Sequence, residues 1–378
     1  MNVVIAIDSF KGSMTSSEAG QAAREGILRV YPDADVKVFS IADGGEGTVE
    51  TLTAGMGGEL ISVKVKNPLM EDMEATYGIL NGTTALIEMS AAAGITLVPK
   101  ENLNPMHAST YGVGQMIGDA IARGCRDFVI GIGGSATNDG GVGMLQALGF
   151  AVRNADGEPV SFGAKGLRDI AEIDGSNALE LLKECSFRVA CDVNNPLYGD
   201  RGCSRIFAPQ KGATEAQVVL MDQWMRHYSE VASKTIPGAD PDFPGAGAAG
   251  GLGFAFLTFL GASLRPGIDL ILQLIQLEDS IKTADIVITG EGKMDAQTVM
   301  GKAPVGVARL AKRYNIPVFA FAGAVLRDAG ACNQAGIDAF FPIVRTPCTL
   351  EYAMAREHAV EHMKDTVEQV MRVFRRGK

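Results

Sequence analysis

The sequence repeats one local pattern, in which a short apolar run is followed by a polar, glycine-containing loop and then by a helical segment. The first example is the run at residues 3–7, which ends in Asp8 and precedes a helix with small and aliphatic residues on one face. A second example begins at Val36 and a third at Ile286. Alternating strands and helices of this kind predict a parallel β-sheet with right-handed crossovers.

A different pattern lies between these repeats. Residues 60–90 have the composition of short strands, and the Asn81-Gly82 pair within them is a strong signal for an antiparallel hairpin. The chain of 378 residues is long enough for about two domains. We therefore predict an α/β protein with a discontinuous doubly wound domain of parallel sheet and an inserted second α/β domain of mixed sheet, formed by residues 1–59 with 270–378 and by residues 60–269.

Charge and hydropathy exclude several partners. The formal net charge is −10, and Lys and Arg are spread along the chain, so we expect no binding of nucleic acid. The N-terminus lacks a basic region ahead of its short apolar run, and the stretch Leu252 to Leu264 is shorter than a membrane span. These features predict a cytoplasmic enzyme without a membrane partner, and they leave the choice between monomer and homo-oligomer open.

A glycine-rich loop runs from Gly131 to Gly141, between a predicted strand at 128–130 and an apolar helix. Such a loop offers backbone N–H groups to an anion. It lacks the Lys of a Walker A motif, and Ala136 stands at the last glycine position of the dinucleotide fingerprint. We expect its polar and glycine residues to bind a nucleotide or another anion: Gly133, Gly134, Ser135, Thr137, Asn138 and Asp139.

Acidic residues and lysines follow three of the predicted parallel strands. Because the carboxyl ends of parallel strands share one edge of a sheet, these groups are expected to converge there. Carboxylates that bind Mg²⁺ or accept a hydroxyl proton, together with cations for phosphate oxygens, are the groups that phosphoryl transfer needs. The alternative is that they are ordinary solvated loop charges. The residues are Asp8 and Lys11, Asp43 and Glu46, and Glu291, Lys293 and Asp295.

Two further local patterns have structural alternatives. Thr15 and Glu18 have the spacing of a capping box at the start of the first helix. Asp192 and Asn194 follow the apolar segment 187–190, where they can share a metal or a substrate hydroxyl, or form an Asx-turn ahead of Pro196. The residues alone leave both readings of Asp192 and Asn194 open.

Taken together, these motifs closely resemble the bacterial glycerate kinase family over essentially the whole chain. The segments that carry the resemblance are residues 8–13, 42–48, 131–141 and 290–295. The resemblance implies ATP-dependent phosphorylation of D-glycerate with Mg²⁺, mainly to 2-phosphoglycerate. It also implies two α/β domains around a cleft, one of them flavodoxin-like or Rossmann-like. An NAD-dependent hydroxy-acid dehydrogenase and a non-catalytic nucleotide sensor are the alternative functions.

Within this resemblance, we assign catalytic and binding roles to individual residues from their chemistry. We expect Asp192 to be the general base, because it comes from the inserted domain, with Lys11, Lys293 and Asp295 as the other catalytic residues. Asp43 and Asp295 are the candidate metal ligands. The glycine-rich loop is assigned to ATP, although the sequence does not decide between ATP phosphates and the carboxylate of glycerate. The residues expected to bind the substrate are Asp8, Ser9, Asp43, Glu46, Asn194 and Glu291.

Overall fold

The computed structural model describes residues 1–42 and 47–376. Its strands, in chain order, are β1 Asn2–Ile7, β2 Asp35–Ser40, β3 Glu59–Lys66, β4 Asp72–Leu80, β5 Thr84–Glu88, β6 Asp127–Gly131, β7 Ala151–Arg153, β8 Glu172–Asp174, β9 Ser186–Ala190, β10 Ser263–Arg265, β11 Ile286–Met294, β12 Val318–Val325 and β13 Ala339–Pro342. Its α-helices are α1 Ser16–Leu28, α2 Thr48–Gly55, α3 Ser90–Ala93, α4 Tyr111–Ala122, α5 Val142–Ala147, α6 Cys203–Phe207, α7 Glu215–Thr235, α8 Ala248–Leu260, α9 Gly267–Leu274, α10 Leu277–Ile281, α11 Ala303–Lys312, α12 Ala331–Gln334, α13 Leu350–Met354 and α14 Arg356–Arg376.

The chain forms two compact units. The first consists of Met1–Asp43 and Ile268–Lys378, and the second of Gly44–Gly267. The predicted boundary lies after residue 59 and the observed one after residue 43, and helix α2 lies between these two positions. That helix packs on the sheet of the second unit. Thr53 of α2 is buried there, and a Cβ atom at Gly78 of β4 would lie 2.1 Å from Thr53 Oγ1.

The first unit contains a parallel sheet of five strands in the order β13-β12-β11-β1-β2. Numbered within the unit, this is the order 2-1-3-4-5 of flavodoxin-like folds. Strand β1 lies between β2 and β11, with Ile5 opposite both Val38 and Ile288. Both faces of β1 are buried, which explains why its sequence is a continuous apolar run.

Helix α1 begins where the sequence predicts. The Thr15 hydroxyl accepts a hydrogen bond from the Glu18 amide at 3.2 Å, and the Glu18 carboxylate accepts one from the Thr15 amide at 2.9 Å. The predicted capping box is therefore confirmed. Side chains of α1 then pack with β1, β11 and α14 in one apolar core, which includes Ala19, Ile27 and Val367.

The second unit contains a six-stranded mixed sheet in the order β10-β9-β6-β5-β4-β3. Strands β5, β6, β9 and β10 are parallel neighbours, whereas β3, β4 and β5 pair antiparallel. The turn between β4 and β5 has positive φ at Asn81 and Gly82, so the predicted hairpin is confirmed. The prediction of an α/β protein with one parallel and one mixed sheet is confirmed as well.

Helix α8 contains most of the apolar stretch from Leu252 to Leu264. Leu252, Phe254 and Phe256 are completely buried and belong to the apolar cores of the second unit. Over the described parts of the chain, we find no helix that combines the length and the apolar character needed to span a bilayer.

Candidate functional site

The first unit has a pocket at the point where its strand order reverses. The chain continues from β1 to β2 on one side and from β11 to β12 on the other, and open α/β sheets bind ligands outside the carboxyl ends of their strands at such a point. A pocket of about 400 Å³ lies there, and we call it the switch-point pocket. Its polar lining residues are Asp8, Ser9, Lys11, Ser13, Glu291, Lys293 and Lys302.

Buried carboxylates lie at this pocket. Glu291 is 6% exposed, and its Oε1 atom accepts a hydrogen bond from the Thr298 hydroxyl at 2.6 Å while Oε2 lies 3.1 Å from Lys302 Nζ. Asp8 is 7% exposed and accepts a hydrogen bond from the Ser9 amide at 2.7 Å. The structure thus brings together Asp8 and Lys11 after β1 with Glu291 and Lys293 of β11, as expected from the shared edge of a parallel sheet.

Asp295 has a structural role at the end of β11. Its Oδ1 atom accepts a hydrogen bond from the Gln297 amide at 2.9 Å, and Oδ2 lies 2.9 Å from Lys293 Nζ. The Lys293 ammonium holds the pKa of Asp295 below its usual range. Both carboxylate oxygens are therefore engaged, one of them by a cation.

These contacts bear on the expected Mg²⁺ site. Asp43, the second expected ligand, and Glu46 lie outside the described residues. Among residues 1–42 and 47–376 there is no cluster of three His, Cys, Asp or Glu side chains arranged for a metal ion. Glu291 is bound by Lys302 and by the Thr298 hydroxyl, Asp295 is paired with Lys293, and Asp8 accepts a hydrogen bond from the Ser9 amide. Each of these described carboxylates therefore has a partner within the protein.

The second unit has a pocket of about 460 Å³ beside the glycine-rich loop, which we call the loop pocket. It lies at the carboxyl ends of β6 and β9. The described residues that line it are Ile95, Ile132, Gly133, Gly134, Ser135, Ala190, Cys191, Asp192, Val193, Phe207, Gln210, Lys211, Ala248 and Ala249. The structure therefore places Asp192 and the first part of the loop at the same pocket.

The remaining residues of the loop support its structure. Thr137, Asn138 and Asp139 are completely buried and do not line the loop pocket. The Asp139 carboxylate accepts hydrogen bonds from the Thr110 amide and hydroxyl at 2.8 and 2.9 Å, and burial raises its pKa. The backbone of α8 approaches so closely that a Cβ atom at Gly250, where φ is +67°, would lie 2.2 Å from the Thr137 carbonyl oxygen. These contacts hold the loop in place from behind.

Asp192 lies directly after β9, and its Oδ1 atom accepts a hydrogen bond from the Gly267 amide at 3.0 Å. This bond fixes one carboxylate oxygen. Asn194 is exposed and is not among the residues that line the loop pocket, so the expected pairing of these two side chains at one ligand is not seen there.

Two lysines at the pockets were not singled out from the sequence. Lys302 precedes α11 and forms the ion pair with Glu291. Lys211 is 2% exposed, and its Nζ atom donates hydrogen bonds to Ser135 Oγ and to the Thr137 carbonyl oxygen, each at 2.6 Å. Pro304, in the first turn of α11, is a sequence signal for the helix start that Lys302 precedes. No sequence signal indicates that Lys211, 76 residues from Ser135, is buried against the loop.

Pockets that lie at the strand ends of two sheets and are lined by carboxylates and lysines are typical of α/β enzymes. The family model described as "Glycerate kinase family" matches residues 3–375, so the chain belongs to this family of phosphotransferases.

Individual relatives cover nearly the whole chain. The chain is 47% identical to "Glycerate 2-kinase" of Escherichia coli K12 over 93% of each protein, and 45% identical to "Glycerate kinase" of Bacillus subtilis 168 over 98% of this chain and 97% of that protein. It is also similar to a crystal structure of a protein assigned as glycerate kinase 2 in Salmonella typhimurium LT2. That similarity has a TM-score of 0.91 and 41% identity, and it covers 100% of this chain and 99% of the other.

Proposed function

We propose that this enzyme transfers the γ-phosphoryl group of ATP to D-glycerate and releases 2-phosphoglycerate and ADP. The observation that carries the proposal is the similarity to the glycerate 2-kinase of Escherichia coli, which extends over 93% of both chains at 47% identity. A nicotinamide-linked dehydrogenase and a non-catalytic nucleotide sensor have no support in the family match.

The proton transfer is assigned to Asp192. As the substrate oxygen attacks the γ-phosphorus, its O–H bond breaks and the proton passes to the carboxylate, while the bond from the γ-phosphorus to the bridging oxygen breaks and ADP leaves. The hydrogen bond from the Gly267 amide to Oδ1 orients the carboxylate for this role. Asp192 also lines the loop pocket, where a small substrate has room to bind.

Lysines supply the positive charge that phosphoryl transfer needs. Lys11 and Lys293 line the switch-point pocket, and we assign them to oxygens of the transferred phosphoryl group or its nucleotide. Asp8, Ser9 and Glu291 line the same pocket and are assigned to hydrogen bonds with a bound substrate. Catalysis in a cleft between two domains stays a prediction, as do roles for Asp43 and Glu46.

Mg²⁺ belongs to this proposal as part of the substrate MgATP. Protein-bound Mg²⁺ commonly keeps several waters and is held by one or two carboxylates together with substrate phosphates. A metal that arrives on the nucleotide therefore needs no complete cage of protein ligands. In this assignment Asp295 serves to hold Lys293 in position, through the ion pair at 2.9 Å.

An enolase-coupled assay tests both the reaction and its product. We expect purified enzyme with D-glycerate and MgATP to release ADP, and enolase to convert the product to phosphoenolpyruvate without added phosphoglycerate mutase. Enolase uses 2-phosphoglycerate directly, whereas 3-phosphoglycerate first requires the mutase. The control is the same mixture with L-glycerate or glycerol in place of D-glycerate.

The two parts of the proposal can fail separately. Phosphoenolpyruvate that forms only after the mutase is added would identify 3-phosphoglycerate as the product. ADP release that does not depend on D-glycerate would reject glycerate as the acceptor.

A further inference from the structure

Lys211 is a buried cation that has no part in the reaction as proposed above. Its side chain is 2% exposed, and its two hydrogen bonds go to the neutral acceptors Ser135 Oγ and the Thr137 carbonyl oxygen. No described carboxylate lies within ion-pair distance of its ammonium group. Burial lowers the pKa of Lys211 to about 8. The buried Asp139 carboxylate acts on this ammonium only from beyond ion-pair distance, so burying the charge is costly and an anionic ligand at the pocket would offset that cost.

The adjoining loop adds further donors. Among the described residues, the amides of Gly133, Gly134 and Ser135 have no hydrogen-bond acceptor. A Cβ atom at Gly133 would meet nothing within 4 Å, so the loop backbone at this position borders open space. An ammonium with a third N–H group to donate, next to a run of unpaired amides, forms a receptor for one small anionic group.

The charge of the pocket distinguishes between the two substrates. Lys211 and Asp192 are the only charged side chains among the described residues that line the loop pocket. One ammonium matches the single carboxylate of a hydroxy acid, and the Asp192 carboxylate can accept a hydrogen bond from the hydroxyl group. The several negative charges of a triphosphate would exceed one cation and would be repelled by Asp192.

We infer that Lys211, together with the amides of Gly133, Gly134 and Ser135, binds the carboxylate of the acceptor and selects a hydroxy acid over uncharged polyols. This inference rests on the proposed function and adds a residue and a ligand to it. The glycine-rich loop is then part of the acceptor site and does not anchor the phosphates of ATP.

The first test compares a charged and an uncharged acceptor. Lys211→Met keeps an unbranched side chain and removes the charge. We expect the KM for D-glycerate to rise roughly 10- to 100-fold, the usual worth of a hydrogen bond to a charged group, while the KM for ATP changes little. The wild-type preference for D-glycerate over its uncharged amide should fall by the same factor. Lys234→Met, which removes an exposed lysine of α7, is the matched control and should leave both KM values unchanged.

The pH dependence provides a second readout in the wild-type enzyme. Lys211 is charged below its pKa of about 8, so the KM for D-glycerate should rise about tenfold per pH unit above that value. The KM for the uncharged amide should not. The titratable groups that act on Lys211 are Asp139 and Cys203, and the pKa of Cys203 is raised to about 11 by burial. Burial also raises the pKa of Cys191 at the pocket.

Hydrogen exchange keeps the inference testable if Lys211→Met fails to fold. In wild-type enzyme with ADP present throughout, we expect added D-glycerate to protect the amides of residues 131–141 and 205–213. Turnover of D-glycerate with protection only elsewhere, or a Lys211→Met variant that loses affinity for ATP and not for D-glycerate, would overturn this inference and leave the proposed function intact. Protection of the loop by D-glycerate without turnover would reject the proposed function alone.

Discussion

Asp192 combines a fixed position with access to a ligand, because one of its oxygens accepts the Gly267 amide hydrogen bond and the residue lines the loop pocket. In Asp192→Asn the amide oxygen can keep that hydrogen bond, while the basic carboxylate is lost. We therefore expect kcat to fall by about 10²- to 10⁴-fold, the usual contribution of general-base catalysis, with little change in the KM for ATP. Steady-state kinetics with D-glycerate and MgATP measure both quantities.

Asp200→Asn is the control for this experiment, because the Asp200 side chain lies in the same unit and is 99% exposed. It should retain wild-type turnover. If Asp192→Asn also turned over normally while Asp43→Asn or Asp295→Asn lost activity, the base would lie among the carboxylates of the first unit.

At this scale the sequence predicts those residues whose neighbours carry a local signal. The sequence predicts that Glu291 and Lys293 lie in a glycine-containing loop after an apolar strand, whereas in the structure both residues belong to β11 itself and line the switch-point pocket. The burial of Thr137, Asn138 and Asp139 could not be predicted, because it depends on the approach of α8 and of Thr110 from distant parts of the chain. Lys211 was missed for the same reason: a lysine is rarely buried, and its burial is a property of the tertiary structure.

At the scale of the elements, Gly26 of α1 and Gly118 of α4 are helical glycines with different surroundings. A Cβ atom at Gly26 of α1 would lie 2.5 Å from the Lys364 carbonyl oxygen of α14, whereas at Gly118 of α4 it would meet only Leu179 Cδ1, at 3.8 Å. Gly26→Ala should therefore lower the free energy of unfolding of the first unit by about 1–3 kcal/mol through overpacking. Gly118→Ala should raise that of the second unit by about 0.5–1 kcal/mol, because alanine has the higher helix propensity.

Urea unfolding followed by two probes separates these effects. Trp224 is the only tryptophan of the chain and lies in α7, so its fluorescence reports on the second unit, while circular dichroism reports on both. Gly118→Ala should shift the fluorescence transition to higher urea, and Gly26→Ala should shift a circular dichroism transition to lower urea. A destabilised Gly118→Ala variant would mean that helix propensity is outweighed at this position.

Elements with complete local signals are predicted well from the sequence. The capping box of Thr15 and Glu18 and the hairpin at Asn81-Gly82 each depend on residues within a few positions of one another, and both are confirmed. The position of α2 is different. Its sequence continues the strand-helix repeat of the first unit, but Thr53 packs against Gly78 in the six-stranded sheet of the second unit. No local residue pattern indicates which of the two sheets this helix packs on.

At the scale of the whole molecule, the first unit is assembled from both ends of the chain. Strand β1 pairs with β2 from the same end and with β11 from the other, and α1 packs against α14. Within residues 1–42 and 47–376, its apolar core shares no buried residue with the core around Phe128 and Ile130 of the second unit. Two separate cores predict two units that open separately in hydrogen exchange, each cooperative within itself.

Native-state hydrogen exchange of the Gly26→Ala variant tests this prediction. Because Gly26 contacts α14 within the first core, the substitution should speed exchange of the amides in β1, β2, β11 and β12 by a common factor, although more than 240 residues separate β2 from β11. Amides of β5, β6 and β9 should exchange at the wild-type rate. Equal acceleration in both sheets would show that the chain unfolds as one cooperative structure. Acceleration confined to β1 and β2 would show that the N-terminal segment opens without the C-terminal strands, contrary to a single discontinuous domain.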